Sequence, residues 1–125
     1  MVILKRFLDD SSGAAALEFG ITSPAFVMLI VGIVLSGLML WMQLGLQQGV
    51  EMGARCASVN KILCNSTSAI QNYAAQKTYG VNPPPSAFAV TKSSCGFQVT
   101  ASYALPVIAE YLDVATLRAQ SCFPL

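Results

Sequence analysis

The sequence contains no histidine and few charged residues. Histidine is absent from all 125 positions, and Asp, Glu, Lys and Arg together make up 10% of the chain. Without imidazole, neither a Ser-His or Cys-His nucleophilic pair nor a histidine metal ligand can form. The most accessible general base at neutral pH is also missing. An enzyme is therefore the weakest interpretation, and we expect neither a cofactor nor a bound metal.

The charge balance argues against nucleic acid as a partner. The formal net charge is only +1, whereas proteins that bind the phosphates of nucleic acids carry a clear excess of lysine and arginine. Hydrophobic residues make up 54% of the chain, and the length suits a single domain. A soluble domain with so few charges would struggle to cover its surface. Much of the apolar content is therefore expected to lie in lipid or against a partner.

The apolar residues are not spread evenly, and one long run of the chain, Phe19–Val50, contains no charged residue. Its densest part, Phe19–Met42, would be about 36 Å long as a helix, enough for a bilayer core of about 30 Å. A cleaved secretory signal would have an apolar core of about 7–15 residues before a small-residue cleavage site. This run is longer, and Gln47, Gln48 and Glu51 follow its dense part. The sequence predicts a retained single-pass membrane anchor.

All four cysteines follow the apolar run, at Cys56, Cys64, Cys95 and Cys122. An even number of cysteines on one side of a membrane anchor is typical of disulfide bonds, which form in an oxidising compartment. This pattern predicts that the carboxyl-terminal part lies outside the cytoplasm. A zinc site is the alternative, but the spacings contain no C-x-x-C pair. Lysine and arginine counts on the two sides of the run are nearly equal and do not orient it.

Two stripes follow the dense apolar residues on the same predicted helix. Polar residues recur every four positions and predict a solvent-exposed face: Gln43, Gln47, Glu51 and Arg55. Small residues recur in the same way on the nearly opposite side: Gly45, Gly49, Gly53 and Ala57. The second stripe predicts a face that another helix can approach closely. The alternative is that these glycines only weaken the helix, at about 1 kcal/mol each relative to alanine.

A change of direction is predicted between the first two cysteines. On one unbroken helix Cys56 and Cys64 would be about 12 Å apart, beyond the limit of about 7 Å between the Cα atoms of a disulfide. If they pair, the long helix must end near Asn60. A second helix is then predicted to start at Asn65-Ser66 and to run to Gly80.

The apolar period changes to two after the prolines at 83–85, which predicts three strands. The strands cover 87–91, 97–105 and 114–121, with Pro106–Asp113 as a short helical or looped excursion. If the last two strands are adjacent and antiparallel, Cys95 and Cys122 meet, which leaves Cys56 with Cys64. The predicted architecture is α+β: a long amino-terminal transmembrane helix extends into a small extracytoplasmic head with a second helix and a three-stranded antiparallel sheet.

One charge interrupts the start of the apolar run. Glu18 ends the segment Gly13-Ala14-Ala15-Ala16-Leu17-Glu18, and Phe19 follows it. A carboxylate at this depth in a membrane costs about 1–3 kcal/mol. The alternative explanation is that Glu18 lies near the amino end of a helix, where the helix dipole stabilises an anion.

This segment resembles the type IVb prepilin signal, in which a glycine and four further residues precede a glutamate and an aromatic residue. The chain is particularly similar to the TadE-like pseudopilins of bacterial tight-adherence (Tad/Flp) pili. The similarity includes the small residues before Glu18-Phe19, the single anchor, the small residues as far as Gly53-Ala54-Arg55, and the ending Thr116–Pro124.

The resemblance implies cleavage by a membrane prepilin peptidase between Gly13 and Ala14. It divides the chain into a leader (1–13), a transmembrane helix with its amphipathic extension (14–59) and a disulfide-stapled head (60–125). Glu18, followed by Phe19, would set the register between subunits by pairing with the new amino group of Ala14. The implied location is the bacterial inner membrane, with the amino terminus cytoplasmic and the head periplasmic or extracellular.

The implied function is that of a minor pseudopilin, which helps to initiate or assemble the pilus without chemistry of its own. Its partners would be the membrane, the prepilin peptidase and other pilins and pseudopilins. The alternative is a signal-anchored envelope protein whose stapled head binds a partner, and an intact Met1 would indicate it. A small membrane-permeabilising protein is a third interpretation, but it would not need a stapled head.

Overall fold

The computed structural model describes residues 11–105 and 116–125. The elements, in chain order, are α1 (Ser11–Val59), α2 (Thr67–Lys77), a 3-10 turn (Pro85–Ala87), β1 (Phe88–Ser93), β2 (Gly96–Ala104) and β3 (Thr116–Phe123). The predicted α+β architecture is confirmed: a long apolar helix, a second helix and a three-stranded antiparallel sheet. Residues 1–10 of the predicted leader and the predicted excursion Pro106–Asp113 lie outside the described residues.

The first helix is continuous over 49 residues and passes through Pro24 without a break. It ends at Val59 because Asn60 reverses the chain. The backbone N–H of Asn60 donates to the carbonyl of Cys56 at 2.9 Å, and the Asn60 carbonyl accepts from the N–H of Cys64 at 2.9 Å. The Asn60 side-chain oxygen also accepts from the N–H of Leu63 at 3.1 Å. The predicted helix end near Asn60 is confirmed.

The second helix begins as predicted but ends earlier. Ser66 is its N-cap, and the Ser66 hydroxyl accepts a hydrogen bond from the N–H of Ala69. The predicted end at Gly80 is wrong, because α2 stops at Lys77 and Thr78 adopts an extended conformation. The Thr78 hydroxyl donates to the carbonyl of Ala74 at 2.9 Å and so gives a partner to an acceptor of the last turn.

The sheet is an antiparallel meander in the order β1-β2-β3. Val99 pairs with Val90 on one side and with Ser121 on the other. Leu117 and Ala119 lie on the buried face of β3, whereas the alternating residues Thr116, Arg118 and Gln120 are exposed. The last strand covers Thr116–Phe123, and residues 114–115 of the predicted strand lie outside the described part of the chain.

The chain divides into two compact units, one that ends at Leu38 and one that begins at Met39. The second, called the globular unit below, contains the last part of α1 together with α2 and the sheet. Its core lies between these three elements. The largest fully buried side chains are Leu46, Val50, Phe88 and Val99.

Candidate functional site

The amino-terminal part of α1 presents apolar side chains outward. Within 11–105 and 116–125, α1 is the one helix long and apolar enough to cross a membrane, and its most apolar window is 0% buried. Phe19 is 72% exposed and Met28 is 75% exposed. Exposed apolar side chains over such a length fit hydrocarbon as their surroundings. The helix therefore suggests a single-pass membrane anchor.

The predicted processing motif lies in the first turns of α1. Gly13, Ala14, Glu18 and Phe19 are all exposed. A Cβ added to Gly13 would meet nothing within 4 Å in the described chain. Ala14 and Glu18 are four residues apart, so they lie on the same face of the helix. Any charge that appears at Ala14 would therefore be one helical turn from the Glu18 carboxylate.

The glycine stripe of α1 faces α2 of the same chain. A Cβ on Gly53 would lie 2.9 Å from the Cβ of Ala74, and a Cβ on Gly49 would lie 2.9 Å from the Ala74 carbonyl oxygen. A Cβ on Gly49 would also overlap the hydroxyl of Thr78. Ala57 continues the stripe and is buried. Glycine is needed at positions 49 and 53 because Ala74 and the Thr78 hydroxyl occupy the space that a side chain would take.

The same face continues beyond the end of α2. A Cβ on Gly45 would overlap the carbonyl oxygen of Tyr79. One turn earlier, the Trp41 ring lies against the Tyr79 ring, with centroids 5.1 Å apart and planes inclined by 60°. Gly80 follows with a φ of +75°, and a Cβ there would lie 2.8 Å from Cδ1 of Trp41. The turn after α2 is thus packed on α1 down to Trp41.

Two glutamines of α1 cover the outer edge of the sheet. The side-chain amide of Gln43 donates to the backbone carbonyl of Arg118, and that of Gln47 donates to the carbonyl of Gln120 at 3.1 Å. Four residues advance a helix by about 6 Å, and two residues advance a strand by about 6.6 Å. The two spacings match, so successive turns of α1 reach successive outward carbonyls of β3.

The predicted solvent-exposed stripe is therefore wrong for Gln43 and Gln47, which are half-buried against β3. It holds for Glu51 and Arg55, which are exposed. Periodicity shows that such residues share a face, but it does not show whether a strand edge lies against that face. Glutamine suits this edge because its amide donates to carbonyls that would otherwise be left for water or a foreign strand.

Both predicted disulfide bonds are present. Cys56 is bonded to Cys64, with their Cα atoms 5.9 Å apart, and Cys95 is bonded to Cys122, with their Cα atoms 6.3 Å apart. Cys95 lies in the turn between β1 and β2, so its bond ties that turn to the last strand. In the described ranges no group of three or more His, Cys, Asp or Glu residues could hold a metal ion.

One segment of the chain, residues 13–55, matches a family model that is described as TadE-like protein. Those residues match the TadE-like family. The resemblance predicted from the sequence is confirmed for this segment. Gly13, the predicted cleavage position, is the first matched residue, and the match ends at Arg55 within α1.

The TadE-like family implies association with the tight-adherence pilus. It is a family of pilus components and not a known enzyme family. The match does not include the ending Thr116–Pro124, whose similarity to TadE-like proteins stays a prediction. No curated protein and no solved structure shows significant similarity to the chain.

Proposed function

We propose that the chain is a minor pseudopilin that helps to initiate or assemble a tight-adherence (type IVb) pilus. In this proposal a membrane prepilin peptidase cleaves between Gly13 and Ala14, and the mature chain joins other pilins and pseudopilins in the inner membrane. The amino terminus of the precursor is cytoplasmic, and the disulfide-stapled head is periplasmic or extracellular. The protein is a substrate of the peptidase and performs no catalysis.

The observation that carries the proposal is the position of Glu18 within the TadE-like segment. It is the one charged residue between Gly13 and Val50, and the apolar residues that follow it are exposed. Cleavage before Ala14 would create an ammonium group one helical turn away. Unpaired charges are costly in a medium of low dielectric constant, so the carboxylate and the ammonium would stabilise each other, within one subunit or between neighbours.

The open space around Gly13 supports the idea that a peptidase, and not packing, requires glycine at this position. Glycine lowers helix stability by roughly 0.5–1 kcal/mol relative to alanine, and the described chain has open space for a side chain at Gly13. Packing among residues 11–105 and 116–125 therefore gives no reason for glycine at this position. A peptidase whose active site accepts only glycine before the cleaved bond would supply one.

Deletion of the gene in its own host tests the proposal. Cells without the protein should have few or no tight-adherence pili, while the major pilin should still be present in the membrane. A plasmid copy of the wild-type gene should restore the pili. A signal-anchored protein whose head binds another envelope partner would leave the number of pili unchanged on deletion, and that result would contradict the proposal.

A further inference from the structure

The segment from α2 to Gly80 runs antiparallel to α1 within the globular unit. Gly53 lies against Ala74, Gly49 against Thr78, and Gly45 against Tyr79. As the chain advances through α2, it therefore moves back along α1 toward lower residue numbers. This direction leads along α1 from Gly53 to Trp41.

The antiparallel segment ends at Trp41. Tyr79 and Gly80 both pack against the Trp41 ring, at a centroid distance of 5.1 Å for Tyr79. Trp41 is nevertheless 57% exposed, and its apolar neighbours Leu40 and Leu44 are exposed as well. An indole that packs on one side and stays open on the other has a surface available for a further contact.

The position of Trp41 along α1 identifies that contact. The uncharged residues Phe19–Leu40 lie between Glu18 and Trp41, and they span about 33 Å as a helix. This length matches a hydrocarbon core of about 30 Å. Tryptophan and tyrosine are enriched at membrane–water interfaces, where the ring meets the acyl chains and the polar group meets the headgroups. A span of this length would place Trp41 where α1 leaves the hydrocarbon.

We propose that the turn Thr78–Val81 is a second membrane contact, in which Tyr79 and Gly80 lie in the lipid headgroup region beside Trp41. The occupant of this surface is the bilayer itself. The proposal rests on the single-pass anchor, because only a membrane-spanning α1 places Trp41 at an interface. Its consequence is that the protein contacts the bilayer through a turn remote in sequence from the span as well as through the span itself.

Brominated lipids test the proposal, because the chain contains one tryptophan, Trp41. Three full-length proteins are reconstituted into phosphatidylcholine vesicles: the wild type, the double variant Trp41→Phe/Tyr79→Trp, and the control Trp41→Phe/Ile62→Trp. Ile62 is 91% exposed in the loop after α1, far along the helix from Trp41. Bromine is placed on the acyl chains near the headgroup in one preparation and near the chain ends in another.

Tryptophan at 41 and at 79 should lose roughly half of its fluorescence with the shallow bromines and much less with the deep ones, as expected for interfacial rings. Tryptophan at 62 should be unaffected by both lipids and quenched by aqueous iodide. Quenching at 41 but not at 79 would overturn the proposal and leave the anchor intact. Absence of quenching at both positions would overturn the anchor as well.

A measurement on the unmodified protein covers the case in which the substituted chains fold poorly. Tyr73, Tyr79 and Tyr103 are all half-buried in the globular unit, so they form a matched set. In vesicles, hydroxyl-radical labelling should modify Tyr79 several-fold more slowly than Tyr73 and Tyr103. Equal rates for Tyr79 and Tyr73 would contradict a headgroup position for the turn.

Discussion

The side chain of Gln47 on α1 donates a hydrogen bond of 3.1 Å to the backbone carbonyl of Gln120 on β3. Gln43 makes the equivalent bond to Arg118 one helical turn earlier. The outer edge of a sheet exposes unpaired backbone groups that can recruit another strand. In this protein, α1 covers part of that edge, and its two glutamine side chains give hydrogen-bond partners to two of the edge carbonyls.

Replacement of Gln47 should weaken this attachment. The variant Gln47→Ala removes the donor to the Gln120 carbonyl and should lower the free energy of unfolding by about 0.5–1.5 kcal/mol, the usual net contribution of one hydrogen bond. Urea unfolding in detergent, followed by Trp41 fluorescence, measures the change. The matched control is Gln48→Ala, because Gln48 is exposed. An equal loss in both variants would show that the edge contact contributes nothing specific.

The close approach of α1 and α2 predicts opposite effects of the same substitution at two glycines. Gly49→Ala places a Cβ on the Thr78 hydroxyl and against the Ala74 carbonyl, so it should destabilise the protein by about 1–3 kcal/mol. Gly37→Ala meets nothing within 4 Å and should stabilise α1 by up to about 1 kcal/mol. Unfolding midpoints of the two variants in detergent compare them. Stabilisation by Gly49→Ala would contradict the observed packing.

The two disulfides should differ in their resistance to reduction. Cys56 and Cys64 are both buried, whereas Cys95 is exposed and Cys122 is half-buried. A thiol reductant needs access to a sulfur atom, so the Cys95–Cys122 bond should be reduced first in the folded protein. Alkylation at successive times, followed by peptide mass mapping, gives the order.

The control for this experiment is the same reduction in denaturant, where both bonds should react at similar rates. Reduction of Cys56–Cys64 first under native conditions would mean that burial does not protect it. Since both pairs involve the globular unit, the result also reports whether that unit is folded in the detergent used.

Much of the fold could be predicted from the sequence because its signals are local. The period of two around Val99 predicts a strand, and the spacing of Cys56 and Cys64 requires the reversal that Asn60 provides. The end of α2 could not be predicted correctly from the sequence. Glycine commonly ends helices, so Gly80 was the expected end, whereas the hydrogen bond from the Thr78 hydroxyl to the Ala74 carbonyl is visible only in the folded chain.

The contacts between remote segments were less accessible to sequence analysis. The four-residue recurrence of Gln43 and Gln47 shows that they share a face, but their partners are backbone carbonyls, which carry no sequence signal. The Trp41–Tyr79 pair was missed for a similar reason. A tryptophan at the end of an apolar run does indicate a membrane interface, but nothing in the sequence connects it to a tyrosine beyond α2.

The proposed role of Glu18 predicts a defect in assembly without a defect in insertion. Glu18→Ala would remove the proposed partner of an Ala14 ammonium, and it makes the anchor more apolar, so the protein should still enter the membrane. Its incorporation into the pilus machinery, measured by co-purification with the other pilins, should fall several-fold. Glu51→Ala is the matched control, because Glu51 is an exposed glutamate of α1 outside the dense apolar run. Normal assembly of the Glu18→Ala protein would argue against a register role.

The cleavage site can be tested with a second pair of substitutions. Gly13→Leu should block processing, because a bulky side chain does not fit a glycine-selective peptidase. Gly20→Leu should be processed normally, since Gly20 also has open space around it and lies beyond the motif. Immunoblots of membrane fractions distinguish precursor from mature protein by size. Normal processing of the Gly13→Leu protein would refute the proposed site.

The intact mass of the wild-type protein, extracted from the membrane of pilus-producing cells, tests the central claim most directly. The measured mass should equal that of residues 14–125, and it should rise by four hydrogen atoms on reduction because two disulfides open. An amino terminus at Ala14 would supply the ammonium group that the proposal pairs with Glu18. A chain that still carries residues 1–13 in cells with functional pili would contradict the account.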